Sequence, residues 1–190
     1  EGGLVFDIGG GSSEVIWMRR APNGAPNVAA AASASVGVVT LSEQWAGQAT
    51  DSAGYALMRQ AMIARFRPIR EEMERVAPFN PATHHLLGTS GTVTTLAGIA
   101  MGLARYNRAK VDASWHDCAE ILAIVERIVA LDLAGRAAIG CVGADRADLI
   151  VPGCAIFSAL VELWPCSRLR VADRGLREGI LRELLAGAVP

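Results

Sequence analysis

The stretch of sequence that decides the fold is GLVFDIGGGSSEVIWM, residues 3–18. Its first six residues are mostly apolar and predict a buried strand that carries Asp7 near its end. The glycines and serines of residues 9–13 predict a tight turn, and the apolar residues 14–18 predict the return strand of a hairpin. Residues 19–27 contain two prolines and predict a second turn, after which residues 28–36 predict a third strand.

The remainder of the chain alternates between helical and strand patterns. Residues 51–76 predict an amphipathic helix interrupted by Pro68, and residues 40–45 predict a short helix capped by Thr40 and Glu43. Strands are predicted at residues 84–87 and 168–172, and helices at 93–103, 116–133, 146–163 and 174–185. This order predicts a mixed central sheet with a three-strand antiparallel start and flanking helices. It resembles the ribonuclease H-like lobe of actin and sugar kinases, and we expect one domain over residues 1–190.

Composition limits the possible partners. The chain has 190 residues and a net charge of −1, which lacks the basic character of a nucleic-acid binder. No apolar run reaches the ~18 residues that a membrane span needs, and no leader precedes the first strand, so we expect a cytoplasmic protein. The hydrophobic content of 52% fits an alanine-rich helical lobe, or a face covered by a missing domain or by a second copy in a homodimer.

The first motif with chemical meaning is DIGGGSSE, residues 7–14. Glycines in a hairpin turn let backbone amides point at one spot, which is how loops hold phosphate. The carboxylates of Asp7 and Glu14 flank this turn, and such oxygens bind Mg²⁺ or position a water. A glycine-rich hairpin with two solvated acids remains the alternative. The candidate phosphate-binding residues here are Gly9, Gly10, Gly11, Ser12 and Ser13.

The second motif is GTSGT, residues 88–92, between a predicted strand and a predicted helix. A glycine and hydroxyl loop at a helix N-terminus offers unpaired N–H groups and a partial positive charge to an anion. The alternative is a helix start capped by Ser or Thr, without a ligand. Two such loops in one lobe favour phosphate or nucleotide binding. The candidate residues are Gly88, Thr89, Ser90, Gly91 and Thr92.

Four segments together resemble the Ppx/GppA phosphatases: DIGGGSSE, LLGTSGTVTTLAGI, RADLIVPGCAIFSALVEL and RVADRGLREGILRELL. The resemblance implies a cytosolic, Mg²⁺-dependent phosphohydrolase with two actin-like lobes and its substrate in the cleft between them. Its substrate would be inorganic polyphosphate or guanosine pentaphosphate. Asp7 would then bind Mg²⁺, and Glu14 would bind the water shell of the metal or steer the attacking water. The two glycine turns would hold phosphates.

The resemblance also implies that part of the site is missing. In that family the glutamate taken as catalytic base, and an Arg/Asn phosphate clamp, come from a first lobe ahead of the DIGGGS strand. We therefore expect this chain to be the second lobe, to carry half of a site and to be inactive alone. The nucleotide-binding lobe of an actin-like kinase and a non-catalytic module that binds polyphosphate or an alarmone remain alternatives.

Several charged residues outside the motifs are further candidates. Arg136 and Arg146 flank a glycine-containing loop and would meet distal phosphates, or lie on a solvated surface. The charged residues of ADRGLREG, residues 172–179, would hold the last helix through ion pairs or line the cleft.

Overall fold

The computed structural model describes residues 2–48 and 50–187, so the predicted domain limits at 1 and 190 lie outside the described residues. The strands are β1 Gly2–Ile8, β2 Ser13–Arg20, β3 Pro26–Ala34, β4 His84–Thr89, β5 Trp115–Asp117 and β6 Arg168–Ala172. The helices are α1 Val38–Gln44, α2 Ser52–Val76, α3 Gly91–Ala100, α4 Arg108–Val111, α5 Cys118–Val129, α6 Leu133–Ala138, α7 Ile150–Leu163 and α8 Leu176–Gly187. A short 3₁₀ turn, Ala144–Arg146, precedes α7.

The six strands form one mixed sheet in the order β3-β2-β1-β4-β6-β5. The first three strands are antiparallel neighbours, β1, β4 and β6 run parallel, and β5 closes the edge antiparallel to β6. The predicted mixed α/β sheet with an antiparallel start is therefore confirmed. Because β1, β4 and β6 are parallel, their carboxyl ends lie at the same edge of the sheet, which is the edge where ligands bind in open α/β sheets.

The core lies on one face of the sheet. Leu4, Phe6 and Ile8 point from β1 into it, and the ring of Phe6 lies 6.2 Å from that of Phe157 on α7. Every residue of α7 except Glu162 is buried. On the opposite face, alternate residues such as Val5 stay half-buried because no described helix covers them.

Most of the predicted helices have somewhat different limits in the structure, and two of them show why. Residues 116–133 divide into the end of β5, the whole of α5 and the start of α6. Helix α5 begins at Cys118 because the Asp117 carboxylate caps it, accepting from the Ala119 N–H at 2.7 Å. The predicted helix at 146–163 begins at Ile150, which places Pro152 in its first turn, where a missing N–H costs least. The predicted cap of Thr40 and Glu43 is wrong: α1 begins one turn earlier, and Thr40 Oγ1 accepts from the Gly37 N–H at 2.8 Å.

The last helix, α8, differs from the others in packing. None of its residues is buried, and Leu176, Ile180 and Leu184 are exposed along one side. Within the described ranges, no helix combines the length and the apolar character needed to cross a membrane.

Candidate functional site

The structure brings the two glycine turns together at the carboxyl edge of the sheet. β1 and β4 are parallel neighbours with Asp7 beside Thr89, so the turns that follow them are adjacent. Ser90 joins them: its hydroxyl donates to the Ile8 carbonyl at 2.6 Å and accepts from the Ile8 N–H at 3.2 Å. The two motifs therefore face one cleft, as the sequence predicts.

Helix α1 holds the first turn in an orientation that leaves amides available. The N–H groups of Val38 and Val39 donate to the carbonyls of Gly9 and Gly10, both at 2.9 Å. A Cβ on Gly37 would lie 2.3 Å from the Gly9 carbonyl oxygen, so this close approach requires glycine. With the carbonyls engaged, the N–H groups of Gly10 and Gly11 have no acceptor in the described part of the chain.

The second turn opens α3 without a side-chain cap. Ser90 is the N-cap residue, but its hydroxyl bonds Ile8 and leaves the helix end open. The N–H groups of Gly91, Thr92 and Val93 find no acceptor among residues 2–48 and 50–187. The side-chain cap that the alternative reading expects is therefore not formed. Three unpaired amides and the helix dipole favour negative charge at this helix end.

Between the two turns lies a cavity of about 280 Å³. Gly9, Gly10, Ser90 and Gly91 line it. Arg146 contributes a positive charge to the cavity lining. Its guanidinium nitrogen Nη1 lies 3.6 Å from the position that a Cβ on Gly91 would occupy. No aspartate or glutamate is among its described lining residues, so the cavity suits an anion.

Thr95 also lines this cavity, 3.5 Å from the Arg146 guanidinium, and sequence reasoning missed it. Its spacing of three residues from Thr92 puts both threonines on one side of α3, a pattern that could have indicated it.

The two carboxylates lie at the same edge as neighbours on adjacent strands. Asp7 is paired in register with Glu14, and Glu14 accepts from the Ser33 hydroxyl at 2.9 Å. Burial raises the pKa of Asp7 above its ordinary value, the charge of Glu14 raises it further, and a hydrogen bond from Ser90 opposes the shift. A bound cation would relieve this repulsion.

These donors fit Mg²⁺, which takes one or two protein carboxylates together with waters and phosphate oxygens. No cluster of three or more His, Cys, Asp or Glu side chains occurs in the described ranges. Mg²⁺ held by this pair of carboxylates would therefore complete its coordination with waters and phosphate oxygens.

A second small cavity of about 270 Å³ opens on the other side of Asp7. Its far wall is the link from β6 to α8, held by the Arg108–Glu178 ion pair at 3.1 Å and the Arg174–Asp112 pair at 2.9 Å. A hydrogen bond from the Gly175 N–H at 2.8 Å, with Arg108, lowers the pKa of Glu178 to about 2. Residues 173–178 therefore anchor the last helix through ion pairs, as predicted, and line this second cavity.

Some of the predicted phosphate ligands are engaged elsewhere. Arg136 is buried and donates to the carbonyls of Ile128, Val129 and Thr50, so its prediction as a phosphate ligand is wrong. It ties α6 to the start of α2, because a buried guanidinium needs acceptors.

Three other candidates in the two motifs have structural roles, either in hydrogen bonding or in close packing. The buried hydroxyl of Ser13 donates to the Val36 carbonyl at 2.8 Å, so it is not directed at a ligand. A Cβ on Gly88 would lie 2.7 Å from the ring of Phe6, which explains glycine there without a phosphate. The Thr89 hydroxyl donates to the Arg174 carbonyl at 3.2 Å.

The mixed six-stranded sheet and its flanking helices place the chain in the ribonuclease H-like, actin-type class of α/β folds. The chain belongs to the Ppx/GppA phosphatase family, whose model matches residues 1–187. A crystal structure of an Aquifex aeolicus member of that family superposes on all of this chain and 58% of its own, with a TM-score of 0.78 and 26% identity. An exopolyphosphatase structure from Cytophaga hutchinsonii gives a TM-score of 0.80 at 22% identity, over 97% of this chain and 57% of that one.

Curated proteins give the same result. Exopolyphosphatase 2 of Mycobacterium tuberculosis is 28% identical over 188 residues, which cover 95% of this chain and 55% of that protein. A putative exopolyphosphatase of Haemophilus influenzae is 28% identical over 183 residues, 95% of this chain and 51% of that protein. The chain thus spans about half the length of the curated relatives it matches.

Proposed function

We propose that the protein hydrolyses the terminal phosphoanhydride bond of inorganic polyphosphate, and that this chain supplies the phosphate-binding half of the site. The observation that carries the proposal is the meeting of two sets of unpaired amides with Arg146 at the edge that holds Asp7 and Glu14. The names of the relatives, exopolyphosphatases, support polyphosphate as the substrate.

In this proposal each group has a separate task. The N–H groups of Gly10, Gly11 and Gly91 bind the oxygens of the terminal phosphate, and Arg146 binds the next phosphate along the chain. Asp7 holds Mg²⁺, which when bound neutralises phosphate charge. Glu14 holds the water shell of the metal or orients the attacking water. The Ser33 hydroxyl donates a hydrogen bond to Glu14 Oε1, and this bond holds the Glu14 carboxylate in one orientation.

Guanosine pentaphosphate is a second substrate under the same proposal, since it ends in the same kind of anhydride. We place the catalytic base and a second phosphate clamp in a further lobe that closes over the edge described here. A cytoplasmic location and a homodimer complete the proposal.

The test is phosphate release from polyphosphate and from guanosine pentaphosphate with Mg²⁺. A protein that contains this chain and the further lobe should turn over at ordinary enzyme rates, about 1–10³ s⁻¹. The 190-residue chain alone should be slower by about 10²–10⁴-fold, the usual cost of losing a positioned base. Ordinary turnover by the chain alone would refute the half-site assignment.

The placement of the site has its own test. Arg146→Gln should raise KM for polyphosphate, whereas Arg75→Gln, an exposed arginine on α2, should leave KM unchanged. Equal KM in the two variants would contradict the placement of the substrate between the two turns.

A further inference from the structure

A single glycine stands beside the carboxylate of Asp7. Gly175 lies in the link between β6 and α8, and both residues line the cavity of about 270 Å³ on the far side of Asp7. A Cβ built on Gly175 would lie 3.9 Å from Asp7 Oδ2. Apart from the chain neighbours of the glycine, no other described atom lies within 4 Å of that position. A side chain on residue 175 would therefore have the Asp7 carboxylate as its nearest contact.

The fold itself does not require glycine at this position. The φ of Gly175 lies outside the left-handed region, and a Cβ would meet Asp7 only at an ordinary contact distance. Gly175 is the residue before α8, and its carbonyl accepts from the Gly179 N–H at 3.2 Å, so it occupies the N-cap. Glycine is tolerated at an N-cap, but serine, asparagine and aspartate serve it better, because their oxygens pair with the first free N–H groups of the helix.

The start of α8 contains one half of a capping box. Glu178 Oε2 accepts from the Gly175 N–H at 2.8 Å, which is the contribution of the third helical residue to such a box. The reciprocal hydrogen bond is missing because residue 175 has no side chain to make it. One hydroxyl or amide would complete the cap, so the stability of the helix does not explain this glycine.

The backbone at Gly175 is held on both sides. On one side the Thr89 hydroxyl donates to the Arg174 carbonyl at 3.2 Å. On the other side Glu178, which accepts from the Gly175 N–H, pairs with Arg108 at 3.1 Å. These contacts resist a movement of the link away from the sheet, so the link does not readily make room for a side chain.

Asp7 is the acid of this cavity that lacks a cationic partner. The other two acids, Asp173 and Glu178, both pair with Arg108, whereas Asp7 forms no ion pair within the described part of the chain. Arg177 also lines the cavity and pairs with none of the described acids. The cavity has room for several waters at ~30 Å³ each. Mg²⁺ keeps several of its waters when it binds a carboxylate, so this space suits a hydrated cation.

We propose that Gly175, by lacking a side chain, keeps open the space that a hydrated divalent cation needs at Asp7. The inference rests on the metal role proposed for Asp7 and adds a residue that determines how well the cation is held. A side chain at position 175 would occupy volume that the waters of the metal need. Mg²⁺ demands near-ideal octahedral geometry and gives up its waters reluctantly, so the loss of this volume weakens its binding.

The experiment is a titration of the protein with Mn²⁺, which binds the same kind of oxygen ligands as Mg²⁺. The EPR signal of the free ion reports binding, with and without inorganic phosphate, and Mg²⁺ should displace the bound Mn²⁺. Gly175→Asn should weaken binding about 10–100-fold, the usual effect of disturbing the surroundings of a metal ligand. Gly175→Ser should weaken it less. Gly179→Asn is the matched control: it adds the same side chain where no atom lies within 4 Å, and it should bind as the wild type does.

Thermal unfolding without metal shows whether the weakening has a structural cause. Gly175→Asn should have a Tm equal to or above that of the wild type, because asparagine caps α8. A lower Tm in both Gly175→Asn and Gly175→Ser would show that the fold requires this glycine and would refute the inference.

Two further variants separate this inference from the function on which it rests. Absence of Mn²⁺ binding that depends on Asp7, tested with Asp7→Asn, would overturn the metal role and the inference together. Binding that is lost in Asp7→Asn and unchanged in Gly175→Asn would leave the metal role standing and refute the role of Gly175. Binding of inorganic phosphate without metal, if Arg177→Gln removes it, would assign the cavity to an anion and overturn the inference.

Discussion

Ser90 is the residue at which fold and candidate site depend on each other most directly, and it yields a quantitative prediction. Its φ of 78° and ψ of 177° lie in a region that is essentially restricted to glycine. A non-glycine residue there costs about 1–3 kcal/mol. The hydroxyl offsets this cost, since it bonds both the N–H and the carbonyl of Ile8, a residue that is only 2% exposed.

Two substitutions separate the two contributions. Ser90→Ala removes both hydrogen bonds and keeps the backbone strain, so it should cost about 2 kcal/mol at about 1 kcal/mol per bond. For a domain of this size that lowers Tm by about 4–8 °C, at ~2–4 °C per kcal/mol. Ser90→Gly loses the same bonds but relieves the strain, at a cost of about 0.5–1 kcal/mol in backbone entropy. It should therefore be more stable than the alanine variant by about 1 kcal/mol.

Differential scanning calorimetry and urea unfolding of the two variants measure these differences. Phosphate release by the protein that contains both lobes should fall in both variants, because neither holds the two turns together. A Tm for Ser90→Ala equal to that of the wild type would show that the bonds to Ile8 add no stability. Equal Tm values for the alanine and glycine variants would refute the assignment of strain to Ser90.

Three further predictions concern charge. Asp7→Asn should abolish Mg²⁺-dependent phosphate release, and intact turnover at saturating Mg²⁺ would contradict the metal role. It should also raise Tm at pH 7, because the raised pKa of Asp7 means that its charge destabilises the fold; this gain in Tm should shrink as pH falls from the raised pKa towards the ordinary 3.8 and vanish below 3.8. Arg136→Met should lower the free energy of unfolding by about 2–3 kcal/mol, because it leaves buried carbonyls unpaired, and should not change KM. Arg146→Gln should change KM and leave Tm unchanged. A change of KM in Arg136→Met would show that Arg136 binds the substrate after all. Glu178→Gln should lower Tm at pH 7, and the difference should disappear as pH falls from the ordinary 4.5 towards the folded-state pKa of about 2, which a Tm series against pH measures.

The elements predicted well from sequence are those whose pattern is local. The hairpin of β1 and β2 follows from apolar runs around the glycines of residues 9–11, and β6 has the same limits, Arg168–Ala172, in sequence and structure. The helix boundaries were less certain, because a cap such as Asp117 or a proline such as Pro152 sets a boundary inside a longer apolar repeat.

The sequence by itself determined the class of fold, the two phosphate-type turns and the family, since glycines, hydroxyls and strand-ending acids are recognisable by type and spacing. Only the tertiary structure decided which side chains lie in the candidate site at the carboxyl edge of the sheet. Arg136 and Arg146 are ten residues apart and chemically identical, yet one is enclosed by backbone carbonyls and the other faces the cavity.

The sequence likewise could not predict that the Ser90 hydroxyl bonds the backbone of Ile8 and does not cap its own helix, α3. Periodicity reports which face of an element is buried, whereas the direction of one side chain depends on neighbours 82 or more residues away along the chain. Those neighbours are set by strand order and helix packing, which the full fold alone specifies.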